Sequence, residues 1–434
     1  MGTNQSTYNY NITTLNEDNL SIMARSSEKL NDDEKLLSVT LLNKHGLNKK
    51  VCLDEERSYN ILKYDKNKLN KENPFPDGFI RSVIFQDEKM VCFSPPKSVH
   101  LNTAMSISEF SLNTNKIVAQ EFVEGTMINM FYDDGNWHIA TKSSVGGRVG
   151  FFTTGSTRNL KDENTFRSMF FDAVASLEAS TMENKGLFEK LDEIPKNVCL
   201  SFVLQHPKNR IVVPFSKPAL YLVAAYNLND YTATHINIRD KSFNSALPSW
   251  VSYPEIYAFS SYEELNNRFG SISTDYKTVG VMIISESTGL RTKIRNPVYE
   301  TVKRLRGNQP KLQYRFLTLR KHQKIDEYLH YYPEHRELFN DYNNKVTLFS
   351  SKLYSNYIAC YVRKHKPLRE YSSEYRTNMF KIHEKYINEL RPVNLIVTKD
   401  VVQNYVNNME EAILMHNINH KIKEYNVLTN MLTL

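Results

Sequence analysis

After a polar opening stretch, short runs of β-branched and aromatic residues dominate the first part of the chain. LLSVTLL (36–42), SVIFQ (82–86), KMVCF (89–93), KIVAQEF (116–122), TMINMFYDD (126–134), WHIATKSS (137–144) and VGFFTT (149–154) all have strand character. The last three predict a meander whose hairpin closes at Asp134-Gly135, a pair that tolerates the positive φ of a tight turn. Across 162–192 the period becomes helical: Asp162 or Asn164 is placed to cap, and Phe166, Met169, Phe170, Val174 and Leu177 form one apolar stripe. Strands are predicted again at 199–205, 210–215, 219–226, 278–285 and 291–295. From residue 310 onward helical patterns prevail, interrupted at Pro333, Pro367 and Pro392. Thr398-Lys399-Asp400 ahead of VVQNYVNNMEEAILM reads as a capped amphipathic helix. No internal repeat is present.

The expected organisation is therefore a disordered polar tail (1–35), an α+β body (36–300) and a basic helical domain (301–434). The tail opens Met1-Gly2-Thr3-Asn4-Gln5-Ser6, which fits the pattern for myristoylation at Gly2. One acyl chain without a nearby polybasic cluster anchors only marginally, so membrane contact is expected only if Gly2 carries the lipid. No run reaches the roughly 18 apolar residues of a membrane span, and no signal peptide is evident. Four scattered cysteines, with no CxxC pair, argue against a zinc site or a disulfide framework. A cytoplasmic protein, in a host cell or virion if viral, is the resulting expectation.

Charge changes this picture in one place. The chain carries 55 Lys+Arg against 48 Asp+Glu. Residues 301–434 hold 22 basic and 13 acidic residues, leaving 33 against 35 before them. Lys303, Arg304, Arg306, Lys311, Arg315, Arg320, Lys321 and Lys324 all precede the first acid of that region, Asp326. Such a run is a candidate phosphate-binding surface for nucleic acid, or else a solvated, salt-bridged face. Tyrosines among these cations (Tyr328, Tyr331, Tyr332, Tyr354, Tyr357, Tyr361, Tyr371, Tyr375) suit single-stranded RNA. They equally suit a tyrosine-rich helical core or a protein partner.

Four ordered blocks resemble the RNA ligases of the T-even phage type, in the covalent nucleotidyltransferase superfamily. RSVIFQDEKMVCFSPPKS (81–98) matches the R-G-x-x-F…P-x-x-K-F stretch, and EFVEGTMINMFYDDGNWHIATKSS (121–144) resembles K-x-D-G-S followed by T-[KR]-G-S. SFVLQHPKNRIVVPFSKPALYLVAAYN (201–227) resembles F-E-F-V-x-P-x-N-R-I-V, and TVGVMIISESTGLRTKIRNPVY (278–299) resembles E-G-x-V then K-x-K-x-x-x-Y. A large DNA virus is a source that suits both this resemblance and the Asn, Lys, Ile and Tyr bias. The resemblance implies an α+β fold: an ATP-grasp-like ligase nucleotidyltransferase domain of antiparallel sheets with flanking helices, then an all-helical C-terminal domain.

The family's chemistry uses a lysine amine that attacks ATP to give a lysyl-AMP intermediate, with carboxylates holding a divalent metal. Here the nucleophile position is Phe122, whose ring has no lone pair. Glu124 and Gly125 match the acid and glycine that follow. The glutamates of the later blocks align with Ser201 and Val279. Lys142, Lys293 and Arg295 match the family's basic positions, and Tyr299 follows at the expected distance. The resemblance thus implies a pocket with nucleotide-binding residues Glu124, Gly125, Lys142, Lys293 and Arg295, without a catalytic residue, partly filled by the Phe122 ring. ATP or another nucleotide is the ligand it implies, with Mg2+ held weakly or not at all. Lys97, fixed behind Pro95-Pro96, and Lys116 are the upstream lysines that could serve as displaced nucleophiles. Three functions follow as expectations: a non-catalytic RNA- or nucleotide-binding protein, a virion-associated scaffold with a vestigial pocket, or an active ligase using a displaced lysine.

Overall fold

The computed structural model describes residues 8–12, 17–69, 77–106, 108–112, 116–150, 165–181, 186–286, 288–309 and 311–420. Gly2 and most of the run 149–154 lie outside them. The described chain divides after Lys303 into an α+β unit and a helical unit.

Among the described residues, fifteen strands build the first unit: β1 (Asn9–Asn11), β2 (Leu47–Asp54), β3 (Arg57–Tyr64), β4 (Val83–Gln86), β5 (Lys89–Phe93), β6 (Ile117–Glu121), β7 (Thr126–Asp133), β8 (Asn136–Thr141), β9 (Ser144–Val145), β10 (Val198–Gln205), β11 (Ala219–Asn229), β12 (Thr232–Ile236), β13 (Ile256–Tyr257), β14 (Gly280–Ser285) and β15 (Arg291–Arg295). They form three antiparallel sheets, ordered β1-β12-β11-β10-β7-β8-β9, β13-β6-β14-β15 and β2-β3-β4-β5. Period-two alternation assigns the faces of the large sheet. Ile128, Met130, Leu200, Phe202 and Leu222 pack beneath the helix Phe166–Ala179, whereas Phe131, Cys199 and Tyr226 join Tyr59, Ile61, Phe85 and Phe93 of the four-stranded β2–β5 sheet. The other four-stranded sheet packs Ala119, Val281, Ile283 and Ile294 against Leu265 and Phe269 of the helix Tyr262–Phe269.

The β7–β8 hairpin closes where expected, with Asp134 at φ 48° and Gly135 at φ 81°. Of the helix predicted at 162–192, the candidate caps Asp162 and Asn164 lie outside the described residues, and Thr165 accepts from Ser168 N at 3.1 Å and opens Phe166–Ala179. Several expectations are corrected. Residues 1–35 are not a free tail where they are described. β1 is the edge strand of the seven-stranded sheet, its Tyr10 hydroxyl donates to Gly289 O at 2.6 Å, and Leu20 and Met23 of the helix Glu17–Ala24 are fully buried.

Residues 36–42, expected as a strand, lie in the helix Asp32–Lys44. Asn31 accepts from Glu34 N at 2.9 Å while the Glu34 carboxylate accepts from Asn31 N at 3.0 Å. This capping box and three acids in the first turn outweigh the β-propensity of a run whose Leu36 and Val39 are 70% and 56% exposed. Residues 210–215 form no strand, because the N–H groups of Val212 and Val213 are taken by Glu124.

The helical unit is built by the helices Leu312–Lys321, Ile325–Tyr331, Arg336–Tyr357, Ser373–Lys385, Lys399–Asn407 and Glu411–Ile418. Thr398 caps the fifth, accepting from Val401 N. Tyr328, Tyr332, Tyr357, Tyr371 and Tyr375 are buried, and Tyr328 stacks on Tyr332 and Phe339. The tyrosines are chiefly core.

Candidate functional site

β15 reads Arg291-Thr292-Lys293-Ile294-Arg295. Alternation sends the three cations to one face and Thr292 and Ile294 into the protein. That face borders a cavity of about 300 Å³, at the lower end of ligand-pocket sizes. The rest of its lining comes from the segment around β6 (Gln120, Glu121, Phe122, Val123, Gly125), from Met127, Val203, Val223 and Met282, and from Tyr64, Arg81, Lys97 and Ser98.

Among the described residues, five cations therefore share one cavity with a single lining carboxylate, Glu121. Burial pushes the Lys293 amine down to about 7, aided by Arg295, Lys97, Arg81 and Arg291. Burial likewise lowers Lys97, with Arg81 and Arg295 adding to it, and lowers Arg81 to about 10, with Arg291 adding to it. Lys142 is not in the lining. It lies 4.8 Å over the Tyr64 ring, and burial followed by Arg81, Lys66, Lys63 and Lys97 lowers it to about 8.

Two guanidiniums are held by the diproline. Arg81 donates to Pro95 O and Arg291 to Pro96 O, while Lys97 N donates to Gly78 O. Both prolines have fixed φ and no N–H, so their carbonyls are rigid acceptors. Arg295 is ion-paired with Glu300. Phe122 stands in the cavity wall, with the Arg295 guanidinium 5.1 Å and the Lys293 amine 6.0 Å from its ring centroid.

Glu124 lies outside the lining. Its Oε1 accepts from Val212 N and Val213 N, both at 3.0 Å, and its carboxylate also interacts with Tyr299. Burial raises its pKa, and those hydrogen bonds oppose the rise. It braces the 210–213 loop. Gly125 has φ 151°, and a Cβ there would meet Leu204 O at 2.4 Å, so only glycine allows this approach to β10. Ser201 is not the strand position that reaches the cavity. Its hydroxyl donates to Asn129 Oδ1, and Asn129 donates to Ser94, whereas Val203 on the same strand lines the wall. Val279 is buried outside the lining.

Lys116 is remote from the cavity: its side chain is 80% exposed and pairs with Glu286 at 2.6 Å. Most of the basic stretch has other occupations. Arg315 donates to the carbonyls of Leu305 and Arg304, closing a helix end, and Arg306 is buried. Arg320 donates to Asn407, and Lys321 pairs with Glu411 at 3.5 Å. Lys303 lies 5.7 Å from the Tyr299 ring centroid and within the field of Glu124. Lys311 precedes the helix Leu312–Lys321 and is exposed.

Arg81, Arg291, Tyr64 and Val203 were not named as site residues from the sequence. The period of β15 was enough to find Arg291, and the matched 81–98 stretch was enough to find Arg81. Nothing local marked Tyr64 or Val203. Among the described residues no group of three His, Cys, Asp or Glu side chains could hold a metal ion, and no helix is long and apolar enough to cross a membrane.

Antiparallel sheets around a cationic cavity, followed in the chain by a helical unit, define an α+β architecture. No protein-family model matches the chain. The chain is 24% identical over 209 residues to an RNA ligase of Rhodothermus phage RM378, a match taking in 43% of this chain and 45% of that protein. It thus spans less than half the length of that curated relative. Similar solved structures include an archaeal ATP-dependent RNA ligase, at 11% identity and TM-score 0.36 over 71% of this chain and 70% of that one. A mutant RNA ligase of Naegleria gruberi with ATP and Mn has 11% identity and TM-score 0.33 over 48% of this chain and 57% of that one. The chain is RNA-ligase-like.

Proposed function

We propose that this RNA-ligase-like chain binds the phosphate groups of a nucleotide, or of an RNA 5′ end, without forming a lysyl adenylate. The observation that carries this is Phe122, which lines the cavity at the position matching the family's nucleophile. A benzyl group cannot form a phosphoramidate. Arg81, Lys97, Arg291, Lys293 and Arg295 supply the anion site; guanidiniums pair with phosphate oxygens through two parallel N–H donors. RNA as the partner rests on the likeness to the phage RNA ligase. The test is binding of 5′-phosphorylated single-stranded RNA across a salt series. Affinity should fall with log salt at a slope of about −0.7 per phosphate contacted. A salt-independent affinity, or no binding of either this RNA or a nucleotide, would refute the proposal.

A second reading has its own support: Lys97 and Lys293 line the cavity with lowered pKa values, the condition a nucleophilic amine needs. Under it, radiolabelled ATP and Mg2+ yield a covalent adduct that Lys97→Met or Lys293→Met abolishes. Under the first reading no adduct forms.

A further inference from the structure

We propose that this cavity takes a polyphosphate ligand free of divalent metal, and that Mg2+ opposes its binding; this rests on the phosphate-binding function proposed above. A divalent cation such as Mg2+ is held by hard anionic oxygens, normally one or two carboxylates together with the substrate phosphates. The donor set here does not match that requirement. The one carboxylate in the wall, Glu121, has its Oε2 accepting from Glu255 N at 3.3 Å. Glu124 lies outside the lining, with its Oε1 taken by two backbone N–H groups, and the β10 and β11 positions that reach the cavity are the hydrocarbon side chains of Val203 and Val223.

The charge that a metal brings to a triphosphate is already built into the walls. Arg81 and Arg291 are fixed by the carbonyls of Pro95 and Pro96, Lys97 follows directly in the chain, and β15 places Lys293 and Arg295 beside Arg291. Burial first, and then the like charges of Arg295, Lys97, Arg81 and Arg291, disfavour the charged Lys293 amine, and a polyanion relieves that repulsion. Magnesium in solution removes two negative charges from a nucleoside triphosphate. The magnesium complex is therefore the poorer partner for this cavity, the reverse of the relation in a carboxylate-lined metal site.

The experiment is calorimetric titration of the full chain with ATP, once in EDTA and once in excess Mg2+ at matched ionic strength, repeated with inorganic pyrophosphate. Binding in EDTA is expected, weakened about fivefold or more by Mg2+, roughly the loss of one charge-assisted contact. Arg291→Met should weaken the EDTA arm about tenfold, with Arg291→Lys keeping part of the affinity if loss of the guanidinium disturbs folding. Affinity unchanged or strengthened by Mg2+ would overturn this inference alone. No binding of ATP or pyrophosphate in either arm, together with no binding of 5′-phosphorylated RNA, would overturn the phosphate-binding function and this inference with it.

Discussion

Lys293 couples ligand binding to pH in a way that can be worked through quantitatively. Its amine is displaced from the ordinary 10.5 to about 7, first by burial and then by Arg295, Lys97, Arg81 and Arg291, so the charged form is disfavoured by about 5 kcal/mol. A phosphate group entering the cavity brings opposite charge and raises that pKa back toward its ordinary range. Since the pKa rises on binding, binding takes up a proton, is tightest below the free-state pKa, and weakens as pH climbs above 7. If the bound amine recovers a pKa near 10, affinity drops about fifty-fold between pH 7 and pH 9. Over that span a terminal phosphate is already a dianion (second pKa about 6), so the ligand itself contributes little to the slope. At pH 8 roughly nine-tenths of free Lys293 is neutral, and calorimetry in two buffers of different protonation heat should report about one proton taken up per ligand. Lys293→Met should remove most of that uptake. Binding by the wild-type chain with no proton uptake at pH 8, and a Kd flat from pH 7 to 9, would refute the reasoning.

Other expectations follow from single contacts. Glu124→Ala strands the N–H groups of Val212 and Val213 and should lower stability by about 2–4 kcal/mol in chemical denaturation. Phe202→Ala empties a fully buried position between Ile128, Leu200 and Leu222 and should cost about 3–5 kcal/mol, read as an earlier urea midpoint at unchanged slope. Lys116→Ala removes only an exposed pair with Glu286 and should leave nucleotide affinity unchanged, whereas Lys97→Ala should reduce it about tenfold.

The parts of this molecule that could be read from its sequence are those whose cause is local. The Asp134-Gly135 turn, the apolar run of β10 and the alternation of β11 and β15 carry their signals within a few residues. The basic residues of β15 are legible for the same reason: two-residue spacing places Arg291, Lys293 and Arg295 on one face wherever the strand lies. Other features depend on distant partners. β2 and β3 mix Lys, Asn, Asp and Arg with their apolar residues, and the strands exist because Tyr59, Ile61 and Leu62 find a core that includes Phe131 and Tyr226. Tyr10 is buried by Phe79, Phe93 and Tyr226, all far away in sequence, so a polar terminal segment conceals an edge strand. The role of Glu124 was hidden because its Oε1 is satisfied by a loop more than eighty residues downstream. The basic run 303–324 shows the opposite failure. Charge counting cannot distinguish a cation aimed at phosphate from Arg315 closing a helix end or Arg320 bound to Asn407.

Intact-mass measurement of the chain after incubation with ATP and either Mg2+ or Mn2+ bears most directly on whether an aromatic ring has replaced the reactive amine. An unmodified mass, with nucleotide still bound under native conditions, is the predicted outcome. An AMP adduct that survives denaturation and maps to Lys293 or Lys97 would contradict it.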